Sequence, residues 1–380
     1  MYILIGADLV PTEKNIAEFE KGDAEFLVGS ELLTILKDAD FRIFNMEVPL
    51  TDKTAPIKKC GPNLIAPTAT IEGYKALGSD IVTLANNHIL DQGVDGLRST
   101  EDVLKKSGIV YLGVGDTPIE ACKPYIFECD GRKIGIYACA EHEFSIVTDD
   151  TPGANPYDPL YSFDHVAALK KDCEFVIVLY HGGKEHYRYP SPMLQRVCHK
   201  FVESGAGLVI CQHSHCIGCE EHYNGGTIVY GQGNFLFDHS TSEFWQTSLL
   251  IKVGDSFAID YIPLVKAGNK VRLADEAKRQ EIMDGFLGRS KEILQDDFVE
   301  KRYLQFADEM INGYLLAFSG KRRSFILRVL NKLTRGRYVK WFLRHRYSET
   351  DLLVLRNFIE CEAHREALLK MLNARNCHNI

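Results

Sequence analysis

Eight short runs of apolar, largely β-branched residues recur through the first 230 positions, at 2–5, 41–44, 81–84, 110–112, 134–137, 175–179, 208–210 and 227–230. Runs of this length and composition, bounded by turn residues, are what a buried strand requires. Helical spacing of apolar residues fills several of the gaps, at 30–37, 68–77, 94–106 and 192–204. Strand alternating with helix predicts an α/β sheet with helices on its faces. The CDGRK turn between two strand-like runs in 125–137 predicts a hairpin, because Asp-Gly suits a two-residue turn. A second hairpin is expected where Gly254, Asp255 and Ser256 join runs at 248–253 and 257–262, so the sheet should be mixed.

The pattern changes near residue 270. Strand signal fades, long charged helical stretches take over, and 321–346 carries ten Lys or Arg with no acidic residue. Two domains are expected, 1–268 and a basic helical region 269–380, with the first long enough for a well-buried core. A composition of 45% hydrophobic and 25% charged residues excludes disordered and collagen-like chains. The start, MYILIGADLVP, lacks the layout of a secretory signal, and no apolar run is long enough to span a bilayer. Eleven cysteines, several inside apolar runs (Cys139, Cys173, Cys211), suit a reducing compartment. The expectation is a cytoplasmic protein.

In α/β sheets, ligands collect where strands end and loops converge. The residues just after the apolar runs are therefore informative. They are Asp8; Asn45 and Glu47; Asn86, Asn87 and His88; His181; His213 and His215; and Asn234. Carboxylates and imidazoles together suit Mn, Fe or Zn. A carboxylate between two ions about 3.5–4 Å apart gives the common clamp for phosphoester cleavage. Each residue also has a plainer reading. Asp8 suits a helix cap, Glu47 a solvated loop, the Asn-Asn-His run a turn, and His213 with His215 one face of a strand. A competing group is Cys216-x-x-Cys219 beside His213, His215 and His222, which suits redox or zinc chemistry but lacks a second CxxC. No G-x-S-x-G elbow, P-loop or complete G-x-G-x-x-G is present; Gly113 and Gly115 lack the third glycine.

FNMEVPLT (44–51), LANNHILDQGVDGL (84–97), YHGGKE (180–185), ICQHSHCI (210–217) and YGQGNFLFD (230–238) resemble, in this order, the CapA family of capsule and poly-γ-glutamate synthesis proteins. The resemblance covers roughly residues 1–265. It implies a calcineurin-like metallophosphoesterase fold, a β-sandwich flanked by helices with a metal site at one edge. By motif, it implies that Asp8, Glu47, Asn87, His181, His213 and His215 hold one or two divalent ions, with Glu47 as the bridge. His88 matches the histidine beside the scissile phosphate. Glu185 matches the acid of an H-W-G-x-E motif in which this chain has a glycine for the tryptophan, and it joins His88 as a catalytic candidate. Glu185 and Asn234 are also candidates for orienting ligands. Two departures stand out. Phosphoesterases at large carry D-x-H in the first motif, whereas Asp8 is followed by Leu9 and Val10. Family members often carry an N-terminal membrane anchor, and no such segment is seen here.

The function expected is a metal-dependent hydrolase of capsule, exopolysaccharide or poly-γ-glutamate synthesis. A phosphoester is the expected bond, with an amide as the other candidate. The alternative is a non-catalytic binding component of a polymer-synthesis complex that keeps the fold. The natural partner is an anionic or phosphorylated glycan or polymer intermediate and its assembly machinery. The basic amphipathic stretch 321–346 suits an anionic membrane surface, which would place the protein peripherally at the inner face. It also suits an anionic polymer, or a packed helical subdomain with a solvated basic face. Nucleic acid is not expected, because no recognised binding fold accompanies the charge.

Overall fold

The computed structural model describes residues 1–376. The chain divides into two compact units, Met1–Val299 and Glu300–Ile380. The first runs past the 268/269 division expected from the sequence pattern. Its helix Glu276–Glu292 buries Ile282 and Phe286 in the same apolar layer as the strands.

Sixteen strands form this unit's framework: β1 (Ile3–Val10), β2 (Phe41–Asn45), β3 (Ile81–Thr83), β4 (Val110–Leu112), β5 (Val114–Gly115), β6 (Tyr125–Cys129), β7 (Arg132–Ala140), β8 (Gly153–Ala154), β9 (Phe175–His181), β10 (Leu208–Gln212), β11 (Glu220–Tyr223), β12 (Gly226–Val229), β13 (Asn234–Phe237), β14 (Thr247–Val253), β15 (Ile259–Ala267) and β16 (Lys270–Leu273). One sheet runs β16-β15-β14-β1-β2-β3-β4, with β13 also paired to β1. The other runs β11-β12-β10-β9-β7-β6, and β5 and β8 form a small pair of their own. In the first sheet β1 to β4 are parallel and β14 to β16 antiparallel; in the second, β7, β9, β10 and β12 are parallel and the two margins antiparallel, so both sheets are mixed.

Both expected hairpins form. In the first, Cys129 pairs with Arg132 across Asp130 and Gly131, whose φ angles of 54° and 72° are those of a type I′ turn. In the second, Val253 pairs with Ile259.

The near-continuous apolar runs are explained by burial on both faces. Ile3, Ile5, Ile43 and Ile81 of the first sheet share one core with Ile136, Ile177 and Ile210 of the second. Leu4, Phe44 and Val82 alternate to the opposite face, under helices such as Ser30–Asp38 and Gly93–Ser107. Val176, Val178 and Val209 do the same on the second sheet, against Phe201 of the helix Pro192–Glu203. The result is a two-sheet sandwich with helices on both outer faces.

Strand β1 shapes what happens at the edge. Its register with β2 shifts between Ile5 and Asp8. On its other side, residues 3–5 pair with β14 and residues 8–10 with β13. Gly6 sits at this fork, where a Cβ would lie 2.5 Å from Phe44 Cδ1. The irregularity brings Asp8 level with Asn45 and Asn234.

The second unit, among the described residues, is helical: most of Phe298–Phe318, then Phe325–Leu333, Arg337–Arg346, Glu349–Glu360 and Glu362–Asn376. Tyr347 Oη donates to Leu315 O at 3.0 Å, and a Ser348–Asp351 capping box starts the helix at Glu349. No described helix is long and apolar enough to cross a membrane.

Candidate metal centre

The carboxyl ends of β1, β2, β3, β9 and β10 meet at one edge of the sandwich. There Asp8, Glu47, Asn87, His181, His213 and His215 are all buried. Around His181 Nε2 stand Asn87 Oδ1 at 3.0 Å, His213 Nδ1 at 3.1 Å and Glu47 Oε1 at 3.3 Å. An imidazole nitrogen carries at most one hydrogen, so three such neighbours cannot all be hydrogen-bonded to it. Ligand atoms about 2.0–2.2 Å from a common ion stand about 3–3.5 Å from one another, which is the spacing seen.

A second group lies alongside. His215 Nδ1 is 2.9 Å from Asn234 Oδ1 and 3.4 Å from Asp8 Oδ2. Two triads, Glu47–His181–His213 and Asp8–Glu47–His215, each bring their ligand atoms within 4.8 Å of one another, and Glu47 belongs to both. Asp8 Oδ2 and both Glu47 oxygens are buried without a hydrogen-bond partner. A buried, unpaired carboxylate is costly unless a cation or proton satisfies it. The donor set therefore fits divalent ions, with Glu47 shared.

Amides hold these groups in place. Asn45 Nδ2 donates to Asp8 Oδ1 at 2.7 Å and lies 3.2 Å from His181 Nδ1. Asn86 Nδ2 donates to Asn45 Oδ1 at 3.1 Å and to Met46 O at 2.9 Å. Asn87 Nδ2 donates to Glu143 Oε2 at 2.8 Å, which turns Oδ1 toward the histidines. His213 and His215 follow β10 rather than extending it. Their φ angles of 86° and 53° place both in the left-handed region, which is unfavourable for a residue with a Cβ. The reading of these two as one strand face fails for that reason. The reversed backbone instead sends one ring to each triad.

His88 lies beside the cluster, in the segment after β3. Its Nδ1 is 2.6 Å from Asp91 Oδ2, and Asp91 is also ion-paired with the buried Lys59 ammonium. With Nδ1 facing Asp91, Nε2 across the ring is the atom presented for chemistry. Glu185 Oε1 is 4.0 Å from His213 Nε2, and its side chain is about half exposed. Trp245 packs on His215 with ring centres 4.3 Å apart, and its Nε1 donates to His186 Nε2 at 2.7 Å.

The charges oppose one another. Burial, reinforced by the Asp8 charge, pushes Glu47 up to about 8. Burial also works to raise Asp8, but the His215 ring 3.4 Å away outweighs that and holds the carboxyl below its usual range. Burial disfavours a charged His215, yet Asp8 and Glu47 carry its pKa up to about 9. Burial depresses His181 to about 4 and holds His213 well below its ordinary value. Without metal, Glu47 and His215 thus favour their protonated forms, while His181 and His213 favour the neutral imidazole.

The CxxC reading finds no support in this geometry. Cys216 and Cys219 are buried, and burial pushes both thiols up, Cys216 to about 11. His222 Nδ1 lies 3.2 Å from Thr227 Oγ1 instead. Among the described residues, neither thiol joins a group of metal-ligand atoms.

The family model described as bacterial capsule synthesis protein PGA_cap matches residues 6–239, which include every residue of both triads. The chain belongs to this family. It is 26% identical over 242 residues to the capsule biosynthesis protein CapA of Bacillus anthracis, covering 60% of this chain and 59% of that protein. It is 25% identical over 224 residues to the PGA biosynthesis protein CapA of Bacillus subtilis, covering 57% and 58%. The chain thus spans under three fifths of the length of these relatives. Solved structures similar to it include a novel phosphatase from Mycoplasma pneumoniae, at 15% identity, covering 70% of this chain and 94% of that one with a TM-score of 0.44. Another is the NAD nucleotidase of Haemophilus influenzae, at 15% identity, covering 81% and 67% with a TM-score of 0.41. The PGA_cap chain described here has the helix-flanked sandwich of mixed sheets that its sequence leads one to expect.

Proposed function

We propose that this PGA_cap protein is a metal-dependent phosphoesterase acting on a phosphorylated glycan or polymer intermediate of capsule, exopolysaccharide or poly-γ-glutamate synthesis. The observation that carries the reading is Glu47, a buried carboxylate with two unpaired oxygens shared by two triads of potential ligands. Asn87, His181, His213 and Glu47 would hold one divalent ion, and Asp8, Glu47 and His215 a second. Ions held there supply Lewis acidity toward the ester oxygens and a water that is nucleophilic at neutral pH.

The chain's own residues supply the rest. Asp91 fixes the His88 ring through Nδ1, so Nε2 can stabilise the transition state or give a proton to the departing oxygen. Lys59 ion-pairs with Asp91 and so offsets the charge of that buried carboxylate. Asn45 and Asn86 hold Asp8 and His181 at fixed spacing, and Asn234 orients His215. Glu185, near the exposed side of His213, is placed to meet substrate or solvent.

One observation favours the non-catalytic alternative. Val10, two residues after Asp8, is buried in the apolar layer under the helices, so the Asp8 group has three protein donors and no further imidazole from β1. The arrangement of His88, Asp91 and Lys59 favours catalysis, because a binding module has no need for an oriented imidazole. The test is hydrolysis of a generic phosphodiester and phosphomonoester with added Mn by the wild type and by His88→Ala and His213→Ala. Turnover lost in both, with metal retained in the first variant, is expected. Wild-type protein that binds metal but turns over neither ester would favour the binding role.

A further inference from the structure

Within Glu300–Ile380, the helices Phe325–Leu333 and Arg337–Arg346 carry an unusual surface. All ten Lys and Arg between 321 and 346 are exposed, and none of them makes an ion pair among the described residues. Apolar side chains are exposed beside them: Phe325 at 71%, Ile326 at 70%, Leu333 at 75% and Trp341 at 53%. At about 100° of turn per residue, Phe325, Ile326, Val329 and Leu333 fall within a single arc about 100° wide. Leu327, on the far side of the same helix, is buried. Arg328 and Lys332 border the exposed arc, and in the next helix Arg337 and Arg344 border Trp341 by the same spacing.

We infer that this surface docks on an anionic phospholipid bilayer. The basic residues would lie among the headgroups and the apolar arc at the acyl boundary. Charge complementarity points to an anionic partner, since the exposed cations between 321 and 346, with no acidic residue among them, attract anions and repel other cations. The exposed Phe, Ile and Leu select lipid over a soluble polyanion, because a polyanion gains nothing from apolar side chains that could otherwise be buried. Trp341, beside arginines, has the amphipathic character favoured at the headgroup level. This inference concerns the second unit and stands whether or not the metal centre hydrolyses phosphoesters.

The test is co-sedimentation of the full chain with vesicles of phosphatidylcholine alone or with about one third phosphatidylglycerol, in low and high salt. Binding only to the anionic vesicles is expected, and it should fall steeply between about 0.1 M and 1 M salt. Replacing Arg328, Lys332 and Arg337 together by Gln is expected to weaken binding about a hundredfold. The double variant Ile326→Ser and Leu333→Ser should weaken vesicle binding but leave any binding to soluble poly-γ-glutamate unchanged. All five positions are exposed, and circular dichroism checks that the helices persist. Equal binding to both vesicle types, or none to either, would overturn the inference. So would binding to soluble polyanion that matches vesicle binding and ignores the apolar changes, or self-association of the free chain that survives in place of vesicle binding.

Discussion

Glu47 Oε1 stands 3.3 Å from His181 Nε2, yet neither oxygen of this fully buried carboxylate has a hydrogen-bond donor. Structural carboxylates in protein interiors are normally paired or bonded. This one has no hydrogen-bond partner, and it belongs to both candidate triads.

Glu47→Gln keeps the shape and removes the charge. Metal content should fall toward zero at both positions, and phosphoesterase activity by at least about a hundredfold. The metal-free variant should be at least as stable as metal-free wild type, because it no longer buries an unpaired carboxyl. Elemental analysis and thermal unfolding with and without Mn check both statements.

The two positions should differ in affinity. One has Glu47, Asn87, His181 and His213 as donors, while the other has Asp8, Glu47 and His215. Calorimetric titration of metal-stripped protein with Mn should resolve a tight and a weaker event, with dissociation constants at least about tenfold apart. A single event of stoichiometry two would argue against unequal sites.

Proton release should accompany filling of both positions, from Glu47 as the first fills and from His215 as the second does. Glu47 and His215, at about 8 and about 9, both hold protons at pH 7 in the metal-free protein and must lose them to ligate. Affinity should therefore rise with pH from 7 to 9. Titrations in buffers of different ionisation enthalpy should report the protons released. Without metal, the same two groups bind protons more tightly folded than unfolded. Their contribution to stability is complete below the ordinary values of 4.5 and 6.5 and is lost as pH rises through about 8 and 9. Metal-free stability that increases over this range would contradict the assignment.

Asp91→Asn should separate chemistry from metal binding. It removes the carboxylate that fixes His88 Nδ1 and pairs with Lys59. Turnover is expected to drop about a hundredfold or more with metal content preserved. The buried ammonium of Lys59 would lose its partner, at a cost of about 3–5 kcal/mol visible as a lower unfolding midpoint.

These residues were not equally legible in the sequence. Asp8, Asn87 and His181 stand out because each closes a buried apolar run, and a polar residue at that point has few other uses. Lys59 gave no signal: it lies in a stretch without periodicity, and its pairing with Asp91 is set by how that loop packs. Glu143 was silent for the same reason, since only tertiary folding brings it to Asn87. His213 and His215 were legible as ligand types but not as conformers, because left-handed histidine has no sequence mark of the kind glycine provides. The helix Glu276–Glu292 reads as a charged surface helix. Its attachment to the sandwich rests chiefly on Ile282 and Phe286, too few apolar positions to signal a core helix by pattern.

The most direct measurement is electron paramagnetic resonance of metal-stripped protein titrated with Mn(II). The free-ion signal should disappear as the first equivalent is added, and a spin-coupled spectrum should grow as the second fills, because Glu47 is shared. His213→Ala should abolish the first phase. A six-line free-ion signal that rises in proportion to added Mn, the same in wild type and variant, would contradict the metal centre outright.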